Sequence, residues 1–455
     1  MRIFHKFIFA IFAFSVITYG QSELTLDKAV NIALHRNTTL QKSINSLKSV
    51  ESAYKASWGS LLPSIDAQGS YGWNRSIQPG TSGRTYTFQG ITISLPATPS
   101  SSTDTYNYTA GVNASWTLFD GLSNIAAVSQ SKKQLESAKL QLENLKQNIV
   151  FQTISLYYAV VNNIQLLKVK EDNVKWNKEN LATIIEKNKL GAVTLADVYA
   201  QQVQEGNAEL DLIQTNNNLE ISKSNLLYYL GLDVLTNYTF SDSLTNQEEN
   251  VLNSDLSAQF GNIDQLVKQA LASRDDYKSA ELDFQGAQNG ITMSEGSYFP
   301  RLTGSAGYNL FANQIDNLSK SRTYSAGLTL SIPIFSGFNV DNQVQAAEVN
   351  AMNKQVDVDD LRRTIKQNLQ QTYLNIQAAE KSLEVNKRNV ASAGENQKIT
   401  QEKYTLGSGT LLDVLVANSN YTNAQTSLIN AEFQYIVLNQ QLKYYLGVLN
   451  YKQYE

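Results

Sequence analysis

Two short patterns, Thr194-Leu195-Ala196-Asp197 and Thr410-Leu411-Leu412-Asp413, place a hydroxyl and a carboxylate three residues apart at the head of a helical run. At that spacing the threonine oxygen accepts from the amide of the third helical residue, and the aspartate accepts in return from the threonine amide. This is the chemistry of a helix cap, and groups for covalent chemistry are scarce. The chain has no cysteine, which removes disulfides, thiolate metal sites and cysteine nucleophiles. Histidine occurs only as His5 and His35, too few for a metal cluster or for imidazole acid-base work. No nucleophile, base and orienting group recur in one constellation, so no enzyme activity, cofactor or metal site is expected. The formal net charge is −4, with basic residues scattered rather than striped, which argues against nucleic-acid binding.

Both patterns belong to a duplication. Leu190-Gly191-Ala192-Val193-Thr194 returns as Leu406-Gly407-Ser408-Gly409-Thr410, and Leu227-Tyr228-Tyr229-Leu230-Gly231 as Lys443-Tyr444-Tyr445-Leu446-Gly447, both at an offset of 216 residues. Further upstream Leu26-Asp27 pairs with Ile263-Asp264, and Leu62-Pro63 with Phe299-Pro300, at an offset of 237. The 21-residue slip falls between Pro63 and Phe119, where the first copy carries the longer loop. Residues 1–20 read as an export signal, with Arg2 and Lys6 ahead of an apolar run from Phe7 to Ile17. The first repeat is assigned to 21–231, an inter-repeat segment to 232–262, the second repeat to 263–447 and a tail to 448–455.

The elements that carry the caps are long helices. Leu122 to Lys189 contains neither proline nor glycine, and Asn339 to Leu406 is interrupted only by Gly394. Each would extend about 100 Å. Val128, Leu135, Leu142, Ile149 and Leu156 recur every seven residues, as do Val344, Ala351, Val358 and Ile365, the period of a left-handed supercoil. Shorter helices are expected over Leu26–Leu61 and 194–230, and again over Ile263–Tyr298 and 410–446. Two of about 36 residues, end to end, match one long helix in length.

Between short and long helices the period changes to two. Ile65, Ala67, Gly69, Tyr71 and Trp73 alternate with polar or small residues, as do Tyr106 to Leu118, Leu302 to Leu310 and Tyr324 to Ile332. Two hairpins are expected, over 64–118 and 301–332. Their strands have the length and alternation of a membrane-spanning barrel. A soluble sheet with one buried face is the alternative, but the chain offers nothing to cover it. Tyr71, Trp73, Tyr106, Tyr108, Tyr308 and Tyr324 are assigned to an outer aromatic girdle, and Trp116, Phe119, Phe335 and Phe338 to an inner one. Four strands cannot close a barrel, and open edges are not tolerated in lipid, so copies of the chain must share one. Closure alone leaves open two, three or more copies.

The opening Leu24-Thr25-Leu26-Asp27-Lys28-Ala29-Val30, the transitions at Leu61-Leu62-Pro63 and Tyr298-Phe299-Pro300, and Trp116 to Gly121 with Ile332 to Gly337 complete the pattern. With the two Leu-Gly-x-x-Thr-Leu-x-Asp-Val turns, they resemble the TolC family of outer-membrane efflux and secretion channels. That resemblance spans nearly the whole chain. It implies a mostly α fold with a transmembrane β part, in which a homotrimer forms a 12-stranded barrel continued by a 12-helix periplasmic tube. It further implies docking on a periplasmic adaptor, itself joined to an inner-membrane RND or ABC transporter. The adaptor contacts would be the tips Leu190 to Thr194 and Leu406 to Thr410.

By the same resemblance Asp413, with Asp197 and Tyr404, would line the closed periplasmic mouth. Gly409 stands where the family pattern has an arginine, and Val416 replaces a second aspartate. An arginine-aspartate latch is therefore not expected here, and helix packing with Tyr404 should hold the mouth. The implied role is the exit duct of a tripartite efflux pump. A type I secretion channel is the alternative and a self-sufficient porin a more distant one, since a porin needs no such helices.

Overall fold

The computed structural model describes residues 23–241, 246–252, 254 and 262–454. The export segment expected at 1–20 lies outside them, as does part of the 232–262 segment. The described residues divide into two compact units, one within 46–139 and 278–360 and the other within 23–45, 140–277 and 361–454.

The first of these units holds the sheet. Its strands run β2 (Ser64–Gln78), β5 (Ser101–Phe119), β7 (Arg301–Ala312) and β8 (Arg322–Ser331), in the order β2-β5-β7-β8 and antiparallel throughout. Register assigns every side chain to one of two faces. One carries Ile65, Tyr71, Trp73, Tyr106, Tyr108, Val112, Tyr308, Tyr324 and Leu328; the other carries Asp66, Gln68, Ser70, Thr109, Asn113, Ser305, Asn309 and Ser325. The two hairpins of the duplication meet at β5-β7. On the polar face Gly111 lies opposite Asn309, and Asn113 opposite Gly307. Each asparagine occupies the space a Cβ would need on the facing glycine, and Asn309 donates to Asn113 at 3.3 Å. This glycine-asparagine interlock fixes the seam between the copies. Strands β2 and β8 remain as unpaired edges.

Two further strands, β3 (Arg84–Phe88) and β4 (Ile91–Leu95), form a hairpin inside the long loop of the first copy. The sequence reading had no strand there.

The long helices run Ser123–Lys189 and Asn339–Thr405, 67 residues each. Along the second, the seven-residue period is a buried seam through Ala351, Val358, Ile365, Leu369, Thr372, Ile376, Ala379 and Leu383. Their partners are Leu195–Leu230 and Leu411–Tyr445. Among the described residues no helix is long and apolar enough to cross a membrane.

The short helices expected over Leu26–Leu61 and Ile263–Tyr298 are not continuous. Each breaks at one residue, giving Leu26–Arg36 with Thr38–Gly59, and Ile263–Ser273 with Asp275–Glu295. The breaks at Asn37 and Arg274 are repeat equivalents and do the same work with different chemistry. Asn37 Nδ2 donates to the Tyr229 carbonyl at 3.0 Å, and Arg274 Nη1 to the Tyr445 carbonyl at 3.1 Å. Asn37 Oδ1 then caps the next helix by accepting from Thr39 and Leu40, while Arg274 pairs with Asp276. Gly231 and Gly447 follow the two tyrosine-leucine pairs at φ 70° in both copies, and a Cβ there would press on the backbone of Arg36 or Arg274. A two-residue parallel pairing of β1 (Glu23–Leu24) with β6 (Thr239–Phe240) completes this region.

Candidate functional site

The helix-to-helix turns follow from their residues. Lys189 ends the first long helix, Gly191 takes φ 69°, and the Ala192 amide donates back to the Lys187 carbonyl at 2.9 Å. In the second turn Gly407 takes φ 75° and the Ser408 amide donates to the Lys403 carbonyl at 2.9 Å. Both are left-handed C-terminal caps that return orphan carbonyls to hydrogen bonding. The next helix then begins under a complete capping box. Asp413 Oδ2 accepts from the Thr410 amide at 3.1 Å and hydroxyl at 2.6 Å, and the Asp413 amide donates to Thr410 Oγ1 at 3.2 Å. Thr194 and Asp197 repeat it at 2.9, 2.8 and 3.2 Å. The Thr410 hydrogen bonds, helped by the positive charge of Lys403, hold the Asp413 carboxyl below its ordinary range. At neutral pH it is an exposed anion.

Gly409 has a local reason to be glycine. A Cβ there would lie 3.1 Å from the Tyr404 amide nitrogen and 3.2 Å from the Lys403 Cβ. At the points of the two turns, Leu190 and Leu406 are each 83% exposed.

Tyr404 is placed differently from Asp413. It is 8% exposed and packs with Ile184, Val198, Leu411 and Val414, so within one chain it fills the space among four helix ends. Lys187 Nζ sits 4.1 Å from its ring centroid, within cation-π range. Its buried hydroxyl has no hydrogen-bond partner, and burial, then the nearby Asp197 charge, pushes its pKa up. Because Asp197 is engaged by Thr194, the tyrosine is held through its ring face.

Farther from the tips, the four helices share an amide chain that sequence reasoning missed. Asn180 donates to Gln201 at 3.0 Å, and Gln201 donates to Asn177 Oδ1 at 3.0 Å. Asn177 and Asn418 donate to Asn173 Oδ1 at 3.2 and 2.9 Å, and Gln397 donates to Asn418 at 2.7 Å. Gln201, Asn177, Asn180 and Asn418 are buried. The excess of asparagine and glutamine in these helices was the available signal.

On the sheet, Tyr71 packs at a tilt against Tyr108 and Tyr308 against Tyr324, each pair with centroids 5.0 Å apart. Trp73 lies opposite Tyr106, while Tyr308 lies opposite Val112, four residues along β5 from Tyr108. The assigned outer aromatics thus occupy three rungs of the ladder, Tyr71 with Tyr108, Trp73 with Tyr106 and Tyr308 with Tyr324. Trp116 donates Nε1 to the Leu61 carbonyl at 2.9 Å, and Phe119 follows the β5 bulge. Phe335 and Phe338 meet edge to face 5.7 Å apart, in the connection beyond β8. Among the described residues no group of three or more histidine or carboxylate side chains is placed to hold a metal.

The family model described as outer membrane efflux protein matches residues 29–232 and 266–448. The outer membrane protein TolC of Vibrio cholerae is 23% identical over 445 residues, covering 95% of this chain and 90% of that protein. TolC of Escherichia coli is 25% identical over 346 residues, covering 75% of this chain and 69% of that protein. Among solved structures, the outer membrane protein VceC of Vibrio cholerae superposes with a TM-score of 0.76 at 18% identity, covering 93% of this chain and 96% of that one.

Proposed function

Because the chain belongs to the outer membrane efflux protein family, we propose that it is the exit duct of a tripartite efflux pump, passively conducting small molecules from a periplasmic adaptor and inner-membrane transporter to the exterior. At the level of the family it is an outer-membrane channel with a large periplasmic helical portion and no catalytic activity, and such channels serve both efflux pumps and type I secretion systems. The carrying observation is the two-faced sheet with two open edges, whose strands lead into 67-residue helices. An aromatic face suits lipid and a polar face suits a water-filled lumen. Open edges at β2 and β8 are satisfied when β8 of one copy pairs with β2 of the next, and three copies give twelve strands. The exposed leucines and small residues at 190–194 and 406–410 then serve as adaptor contacts. Asp413, together with Asp197 of the equivalent turn, sets a negative field at the periplasmic mouth that favours cations.

Planar-bilayer recording of the purified protein, with growth of a deletion strain on toxic small molecules, tests this reading. Cation-selective conductance and hypersensitivity are expected. Absence of conductance rejects the channel, whereas unchanged tolerance with loss of a secreted protein moves the assignment to type I secretion.

A further inference from the structure

The loop between β2 and β5 is a continuation of their ribbon. Ser64 pairs with Ser115, Gln78 with Ser101, Thr81 with Thr98, Arg84 with Leu95 and Phe88 with Ile91, so the strands advance in step, with no residue inserted on either side. Pairing lapses only around Pro79, Pro96 and Pro99, whose nitrogens cannot donate. In this register Gly80 faces Pro99 and Gly83 faces Pro96. A Cβ on Gly80 would lie 2.6 Å from the Thr98 carbonyl, and on Gly83 3.1 Å from that of Leu95. Between these steps Thr81 and Thr98 exchange backbone hydrogen bonds at 3.0 Å each way, and their hydroxyls meet at 2.6 Å. The result is a jointed ribbon with its register intact.

Unbroken register carries the pleat from the sheet to the tip. At the tip Tyr86, Phe88, Ile91, Ile93 and Leu95 share one face, each 53–74% exposed, with Arg84 opposite Leu95 at its base. Thr85, Thr87, Thr92 and Ser94 share the other, with hydroxyls meeting across the strands at 3.5 and 3.4 Å. The apolar tip face has the parity of Asp66, Gln68, Ser70, Thr109 and Asn113; the hydroxyl face has the parity of Tyr71 and Trp73. Polarity thus inverts between sheet and tip. Were lipid the partner, apolar side chains would follow the parity of Tyr71 and Trp73.

We propose that the apolar tip faces of three copies of this chain meet over the barrel axis and form a hydrophobic constriction at the outer exit. The inference rests on the shared-barrel reading. In a twelve-stranded barrel the wall stands about 12 Å from the axis, and the strand from Pro79 to Gln89 spans about 35 Å, ample to fold inward at the glycine-proline joints. The partner of each tip is the same hairpin of its neighbours. Beyond the level of Arg84, such a collar gates by excluding water.

The chain has no cysteine, so single thiols report without background. In the full-length protein reconstituted in lipid, mild oxidation of the Phe88→Cys variant should link subunits about tenfold more efficiently than oxidation of the Thr87→Cys variant. Conductance of the Phe88→Asn, Ile91→Asn, Ile93→Asn variant should rise about twofold or more. Equal crosslinking of the two thiols, or an unchanged conductance, overturns the constriction. Stronger quenching of a fluorophore by spin-labelled lipid at position 88 than at 87 assigns the tip to the membrane instead. A parent protein whose native mass is not a trimer rejects the shared barrel itself, a result read independently of the crosslinks.

Discussion

Each helix-to-helix turn rests on a threonine and an aspartate that satisfy one another, and removing the Thr410 hydroxyl takes from the Asp413 amide its side-chain acceptor. Thr410→Ala should lower the local stability of its turn by about 1 kcal/mol, read by amide exchange across 406–414. Asp413 titrates below its ordinary value, so its contribution is complete above the unfolded carboxyl pKa and is lost as pH falls through the depressed folded one. Protection of the turn should therefore be flat from pH 8 to about 5 and decline below about 4, and Asp413→Asn should remove that decline. Tyr404 makes a contrasting test. Its hydroxyl is buried and unpartnered, so Tyr404→Phe should be neutral or stabilising by up to about 1 kcal/mol, whereas Lys187→Ala should cost about 0.5–1 kcal/mol through the lost ring contact. Thermal unfolding of the two variants decides this, and a strongly destabilised Tyr404→Phe would show that the hydroxyl has a partner after all. The caps were legible in sequence because Thr-x-x-Asp is a local pattern. The pairing of Lys187 with Tyr404 was not, since it depends on how the ends of separate helices pack.

Within the helices, the amide chain couples both copies through one acceptor, Asn173 Oδ1. Asn173→Leu would take that acceptor from Asn418 and Thr422, while Asn177 keeps the Asn173 carbonyl, and should cost about 2 kcal/mol or more; Asn389→Leu, at an exposed position of the second long helix, should stay within about 0.5 kcal/mol. Chemical denaturation of both variants tests the chain, and equal effects would show that the asparagines act singly. The long helices could be read from their lack of proline and glycine and from a seven-residue period. The breaks at Asn37 and Arg274 escaped that reading because neither residue is an obligate helix breaker. Asn37 does carry a cap signal in the Thr-Thr that follows it, but Arg274 ends its helix through a carbonyl 171 residues away. The β3–β4 hairpin was hidden for another reason. Its short strands sit among the prolines and glycines that mark a loop, and only the alignment of both arms in one register reveals them.

For the whole molecule, the duplication supplies two turns of the same backbone plan with different side chains. Ala192 and Val193 stand where the second copy has Ser408 and Gly409. A trimer built on this plan presents six tips of two alternating kinds, so a partner with six equivalent contacts must tolerate both. Crosslinking from a probe at Ser408 and from one at Ala192 should each capture a periplasmic adaptor, and capture from neither would remove the tips as docking points. The interlock of Asn113 and Asn309 with the glycines facing them also bears on how the protein is made. Its hydrogen bond joins residues 196 apart in sequence, whereas the β2–β5 ribbon closes on itself locally. As the chain emerges from the export machinery, the ribbon can form early, but its inner edge must wait for a strand that arrives only after the first long helix has passed. A sheet that inserts only once this seam is closed must wait until β7, about two-thirds of the way along the chain, is available. An incomplete chain, lacking β7, would carry a bare aromatic ribbon with no seam to lock, so chains truncated before residue 301 should be cleared without forming conducting pores, an outcome that immunoblotting and dye-leakage measurements would check.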